Sequence, residues 1–176
     1  MTNKSKVISV LVVSFMTALI IKTFVLEELI VSGESMSPTI ESGDYLFINK
    51  LAYISRNPKR GDIIIVKPRG NVGTVIKRIV GLPSERLQVV DGQVTVKNER
   101  TDPNITLDEL YLNGLTTNAV GTTYVQLDPN EYFVFGDNRA VSIDSRELGP
   151  IDRLSIAGKP FLIFRLKSFK FIKIFL

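Results

Sequence analysis

Residues 75–80 read VIKRIV, a run in which four β-branched residues surround a lysine–arginine pair. β-branched residues are enriched in strands, so this run predicts a β-strand. Successive side chains of a strand point to opposite faces, which places Lys77 with Val75 and Ile79 and turns Arg78 to the other side. Burial on an apolar face lowers the pKa of a lysine, because desolvation disfavours the ammonium. Lys77 is therefore a candidate neutral amine and general base.

The residue types that the chain lacks narrow the chemistry further. It contains no histidine and no cysteine, which excludes Ser-His-Asp triads and Cys-His pairs. A serine hydroxyl remains as nucleophile, and Ser35 lies in GESMSPT, residues 33–39, between the flexible Gly33 and the restraining Pro38. Together Ser35 and Lys77 outline a Ser-Lys dyad. Taken singly, a serine in such a loop is usually a turn residue, and a lysine beside an arginine is usually a solvated edge residue.

Short apolar runs separated by turn residues predict a mostly-β, antiparallel domain. Asp91-Gly92 lies between two alternating runs and predicts a hairpin with a type I′ turn. Residues 98–123 are polar and weakly patterned, so we expect loops or a small β extension there, with a short turn near 107–112. Together with the hairpin, this stretch forms an accessory region of the domain at about 84–130. The predicted strands are Tyr45–Ile48, Asp62–Val66, Val75–Val80, Arg86–Val90, Gln93–Val96, Tyr124–Leu127 and Tyr132–Phe135.

The N-terminal segment predicts one transmembrane helix. Residues 7–21 are uncharged and mostly apolar, and extension to Leu26 gives twenty residues, enough to cross a bilayer core. A cleaved signal peptide is the alternative, but no small-x-small cleavage site follows the apolar run. Lys4 and Lys6 favour a cytoplasmic N-terminus, with the rest of the chain on the outer side of the cell membrane. The sequence thus divides into a start and anchor, 1–26, and one domain, 27–176.

Charge gives a weaker signal. The net charge of +4 is spread along the chain without a nucleic-acid reading motif, so no nucleic-acid partner is expected. The tail, residues 160–176, alternates bulky apolar residues with lysine and arginine. We expect a final strand followed by a frayed basic end; the alternative is a segment that lies on anionic lipid.

Four sequence blocks resemble the type I signal peptidases. They are residues 33–40, 60–62, 76–83 and 136–146, and they occur in that family's order. The resemblance implies a membrane-anchored serine endopeptidase with an antiparallel β-rich catalytic domain, which removes signal peptides from exported precursors at the bilayer, near the export machinery. It implies no metal and no organic cofactor.

The same resemblance implies roles for individual residues. Ser35 would be the nucleophile and Lys77 the base, and Ser142 would orient the lysine amine by a hydrogen bond. The backbone N–H of Ser35 would bind the oxyanion, while the second donor stays open because Gly33 stands where some members have serine. The residues expected to support or orient the site are Asp137, Asp144 and Arg146. The residues expected to line shallow substrate pockets are Val31, Gly33, Met36, Ile40, Val75 and Ile76.

Two other functions stay open. A Ser-Lys self-cleaving regulator of the repressor type shares the chemistry, but it would lack the anchor. A catalytically inactive, membrane-tethered β binding module is favoured only by Ala140 and Val141, where the signal peptidases usually have an Asp and an Asn.

Overall fold

The computed structural model describes residues 3–68, 73–90, 92–98, 103–112 and 123–174. Its helices and strands, in chain order, are α1 Asn3–Ile20, a π-helical turn Ile21–Val25, β1 Leu26–Ile30, β2 Tyr45–Asn49, β3 Ile63–Val66, β4 Val75–Gly81, β5 Arg86–Val90, β6 Gln93–Lys97, β7 Ile105–Thr106, a 3₁₀ turn Leu110–Leu112, β8 Thr123–Gln126, β9 Glu131–Phe135, α2 Ser145–Leu148, β10 Ile151–Asp152, a 3₁₀ turn Arg153–Ser155, β11 Ile156–Arg165, a 3₁₀ turn Leu166–Ser168 and β12 Lys170–Lys173.

Helix α1 and the π-helical turn form one apolar segment, Lys4–Val25, of 22 residues. None of this segment is buried against the rest of the protein. An apolar helix of this length with all of its faces uncovered fits a single membrane span. The backbone N–H of Lys50 donates to the Val25 carbonyl at 2.9 Å, which ties the end of the segment to the β domain.

The larger sheet is antiparallel and has the strand order β1-β2-β11-β3-β4-β9-β10, with β12 also paired to β11. Strand β3 lies inside this sheet, and all four of its residues are buried. The sequence of β3, IIIV, is apolar throughout because both faces of the strand are covered and neither carries a side chain that meets water. Strand β4 lies next to β3, which puts Lys77 in the interior of the sheet.

A smaller sheet, with the order β7-β6-β5-β8, contains the predicted hairpin. Val90 pairs with Gln93 across the turn, and Gly92 has φ 78°, as a tight hairpin turn requires. The two sheets share a core of buried residues from β4, β5, β6 and β9. A Cβ at Gly81 would lie 2.8 Å from side-chain atoms of Leu127 and Phe133, so the close packing requires glycine there. Residues 99–102 and 113–122 of the polar stretch lie outside the described residues.

The tail differs from its prediction. Residues 170–173 are a strand, β12, in register with residues 162–165 of β11, so the expected frayed end is wrong at these positions. Pro160 lies inside β11, at an irregularity in the pairing with β2, a kind of position at which sheets tolerate proline. Phe169 and Phe171 are 79% and 67% exposed beside Lys170 and Lys173. A segment that lies on anionic lipid stays a prediction.

Candidate active site

The serine loop connects β1 to β2. Its ends are closed by two backbone bonds, from Val31 N–H to the Asp44 carbonyl and from Gly43 N–H to the Val31 carbonyl, each 2.9 Å. Gly33 has φ 102°, a left-handed conformation that favours glycine. Met36 and Ile40 are buried in the core beneath the loop. Ser35 is half-buried, so it keeps some access to solvent. Gly33 before it and the buried Met36 after it constrain the backbone on either side.

Lys77 is 4% exposed, as the apolar alternation of β4 predicted. Its Nζ donates a hydrogen bond to Ser142 Oγ at 2.8 Å. Burial lowers the pKa of Lys77; the carboxylate of Asp144 opposes this shift, and the guanidinium of Arg146 adds to it. A lysine in this setting holds a neutral amine at a lower pH than a lysine in water does.

The loop between β9 and α2 joins the serine side of the site to the lysine side. The backbone N–H of Asn138 donates to the Ser35 carbonyl at 3.0 Å, and the N–H of Ser142 donates to the Asn138 carbonyl at 3.1 Å. A Cβ at Gly136 would lie 2.2 Å from Ser142 Oγ and 2.4 Å from the Ser35 carbonyl oxygen. Only glycine fits at this point, because the serine loop and Ser142 both pack against its Cα.

Asp144 lies behind Ser142 and is 2% exposed. It accepts hydrogen bonds from the Gly136 N–H at 3.0 Å and from two nitrogens of Arg146, Nε and Nη2, at 2.8 Å each. Burial alone would raise the pKa of Asp144, but the hydrogen bonds from Arg146, Gly136 and Ser142 hold it below its ordinary value. The carboxylate is therefore ionised, and Ser142 lies between it and the Lys77 amine.

A second buried ion pair forms on the opposite face of β4. Arg78 Nε and Nη2 donate to the two oxygens of Asp137 at 2.8 and 2.6 Å. Thr39 Oγ1 donates to the same carboxylate at 2.6 Å, and Arg78 Nη1 donates to the Gly61 carbonyl at 2.9 Å. The supporting residues Asp137 and Asp144 are thus held in two separate ion pairs, with Arg78 and with Arg146. Asp137 links the serine loop to β4, the strand that carries the lysine.

A third pair was missed by the sequence analysis. Arg139 is buried and contacts Glu109, with one bond of 3.1 Å from Nη1 to Oε2 and a shorter one from Nη2 to Oε1. Tyr111 lies between the arginines: its ring is 4.1 Å from the Arg78 guanidinium carbon, and its hydroxyl donates to Glu109. Burial, followed by the charge and hydrogen bond of Glu109, raises the pKa of Tyr111. Glu109 and Tyr111 lie in the weakly patterned stretch, where no local signal pointed to a buried partner.

The predicted pocket residues do not line one open pocket. Val31, Met36, Ile40 and Ile76 pack together in a single core cluster, each 7% exposed or less. Gly33 is exposed, and a Cβ there would have no atom within 4 Å. Val75 alone of the set lines a cavity of about 300 Å³ that also reaches Lys77 and Asp144.

Comparison with known proteins identifies the family of this chain. A family model described as "Signal peptidase, peptidase S26" matches residues 4–165. Signal peptidase I P of Bacillus subtilis subsp. natto is 32% identical over 157 residues, which cover 88% of this chain and 84% of that protein. Signal peptidase I of Leptolyngbya laminosa is 35% identical over 159 residues, which cover 86% and 74% of the two chains.

Among solved structures, a signal peptidase I from Enterococcus faecalis V583 is 28% identical and covers 59% of this chain and 97% of its own, with a TM-score of 0.49. The family match spans both the apolar helix and the site around Ser35 and Lys77. The chain belongs to the signal peptidase family, peptidase S26.

Proposed function

We propose that this chain is a membrane-anchored serine endopeptidase that removes N-terminal signal peptides from exported proteins, with Ser35 as nucleophile and Lys77 as general base. One observation carries the assignment of residues: the buried Lys77 amine is hydrogen-bonded to Ser142, on the loop whose Asn138 amide binds the Ser35 carbonyl. The family supplies the reaction, and this arrangement supplies groups that can perform it without histidine.

The proposed reaction has two halves. Ser35 Oγ attacks the carbonyl carbon of the scissile bond while its proton passes to the neutral Nζ of Lys77. The resulting ammonium returns that proton to the amide nitrogen as the C–N bond breaks, which leaves the signal peptide esterified to Ser35. Water then attacks the ester, again with Lys77 as base, and releases the signal peptide. The backbone N–H of Ser35 is the expected oxyanion donor.

Ser142 acts on Lys77 rather than on the substrate. Its hydroxyl accepts an N–H of the amine and donates to Asp144, and this leaves the lone pair of the amine to be directed at Ser35. We expect Ser142→Ala to lower kcat about tenfold to a hundredfold, as loss of a hydrogen bond to a chargeable group does. Steady-state cleavage of a purified precursor measures this, with circular dichroism to confirm that the fold is kept. A kcat equal to that of the parent would remove Ser142 from the mechanism.

The substrate is proposed to bind as an extended segment beside a strand, with small residues at the first and third positions before the cut. Supporting this, the apolar residues Val31, Met36 and Ile40 of the serine loop pack with Ile76 of β4 in one core cluster. A surface so filled leaves shallow room for side chains on the acyl side, and shallow room favours small residues.

The proposed topology has the N-terminus in the cytoplasm and the catalytic domain on the outer side of the cell membrane. Lys4 and Lys6 precede the apolar segment and support this orientation. Protease added outside intact cells or spheroplasts is expected to digest the chain after Leu26 and to spare an epitope tag at the N-terminus. Immunoblots against both ends measure this, and lysed cells are the control. Protection of the catalytic domain in intact cells would reverse the orientation.

The inactive-module alternative rested on Ala140 and Val141. Both residues are exposed, on the outer side of the loop, and lie outside the two ion pairs beside Lys77 and Ser142. Their departure from the usual family residues therefore leaves the proposed catalytic groups in place. An activity assay with the parent and with Ser35→Ala separates the two functions, because only an enzyme loses cleavage on removal of the hydroxyl.

A further inference from the structure

A cavity of about 300 Å³ lies beside Lys77 on the face of β4 that also carries Val75. Val66, Val75 and Val134 are among its apolar lining residues, and Lys77 and Asp144 also line it. Its volume is at the lower limit of the range for pockets that bind small ligands. It is therefore large enough to hold an amino-acid side chain.

The mouth of the cavity is apolar and faces solvent. Ile143 and Leu148, which line it, are 60% and 62% exposed. Two polar groups of the lining already have partners: Ser145 Oγ accepts the Val134 N–H at 3.0 Å, and Asp144 is bound by Arg146 and Gly136. What the cavity offers an incoming group is apolar contact, next to the proposed base.

The position of the cavity assigns it to one side of the scissile bond. None of its described lining residues comes from the serine loop, residues 31–40, against which the acyl side of a substrate must lie while it is bonded to Ser35. A general base that returns its proton to the leaving amine must have that nitrogen within hydrogen-bond reach. The amine nitrogen that begins the chain after the cut therefore lies next to Lys77 Nζ, and Lys77 lines the cavity.

We propose that this cavity is a specificity subsite for an apolar side chain at the start of the mature protein, directly after the cut. This subsite rests on the proposed function. It adds a preference for an apolar residue directly after the cut to the preference for small residues before the cut. Precursors with an apolar residue after the cut would gain binding there in both the substrate and the transition state.

The test uses the full-length protein in detergent and precursors that differ only in the residue after the cut: alanine, valine, leucine or phenylalanine. Competition assays give the kcat/KM of each relative to alanine. Ile151→Phe, at a half-buried lining position, narrows the cavity and is expected to lower the leucine-to-alanine ratio about tenfold. Val134→Ala enlarges the cavity and is expected to raise the phenylalanine-to-alanine ratio.

Leu154→Phe is the matched control, because Leu154 is exposed, lies close in sequence and is not part of the lining. It should leave every ratio at the parental value. Parental ratios in the folded cavity variants would overturn the subsite. If Ile151→Phe does not fold, the Val134→Ala ratios decide. Failure of the parent to cleave any precursor would instead overturn the proposed function.

Discussion

Lys77→Arg is expected to abolish precursor cleavage, although it preserves a positive charge at a similar position. A guanidinium stays protonated at all accessible pH values, so it cannot accept the proton of the Ser35 hydroxyl. The loss should approach the upper range for removal of a general base, about 10⁴-fold in kcat. Lys77→Ala and Ser35→Ala should each abolish cleavage as well. Product formation measured over long incubations, with the new N-terminus sequenced, distinguishes residual cleavage at the proper site from degradation.

The parent's pH profile provides the companion measurement. Cleavage requires the neutral amine, so kcat/KM should rise with pH through the pKa of Lys77. Burial lowers that pKa, so the limb should lie below the value of about 10.4 for a free lysine. It should also lie above the range of about 4 in which ordinary carboxylates titrate. The chain has no histidine to produce a limb near neutrality. Substantial cleavage by Lys77→Arg, with a parental pH profile, would end the Ser-Lys mechanism.

Asp137→Ala is expected to have the largest effect on stability. The Asp137 side chain is 1% exposed and accepts two bonds from Arg78 and one from Thr39. Its removal leaves a buried guanidinium without its carboxylate, which typically costs about 3–5 kcal/mol of unfolding free energy. Urea unfolding in detergent, followed by far-UV circular dichroism, measures the change.

Two further variants interpret that measurement. Glu27→Ala breaks the half-exposed pair with Lys67, for which about 0–1 kcal/mol is expected. The double variant Arg78→Met/Asp137→Leu removes both buried charges and should recover most of the stability that Asp137→Ala loses. If Asp137→Ala costs no more than Glu27→Ala, the buried pair does not hold the serine loop to β4.

Local patterns in the sequence predicted what local physics determines. The β-branched sequence of β4 predicted a strand with Lys77 on an apolar face, and Lys77 is buried. Arg78 on the opposite face is buried too, because β4 lies inside the sheet and both of its faces are covered. The hairpin at Asp91-Gly92 followed from turn chemistry, and the apolar helix from length and composition. The catalytic roles of Ser35, Lys77 and Ser142 stay predictions, although the structure brings Lys77 and Ser142 into contact.

What the sequence did not predict depends on distant partners. Strand β1, LEELI, follows directly on the apolar helix, and its two adjacent glutamates break the period-2 alternation by which a strand is recognised. Strand β12 forms because β11 offers it an edge. Glu109 became a buried partner of Arg139 only through a contact 30 positions away along the chain. Four of the six predicted pocket residues, Val31, Met36, Ile40 and Ile76, lie in the core, because an apolar residue near a nucleophile can face either the substrate or the interior.

The short connection between the apolar helix and Ser35 limits how far the enzyme reaches. Nine residues, 26–34, separate Val25 from Ser35, so even a fully extended chain places the nucleophile no more than roughly 36 Å from the end of the helix. Five of those residues are paired with β2, which makes the connection a strut rather than a flexible tether. In a bilayer, enzyme and precursor would then meet by lateral diffusion in two dimensions. A precursor whose signal segment lies in the same membrane would be encountered at a high effective concentration, whereas the same cleavage site on a protein in solution would pass out of range.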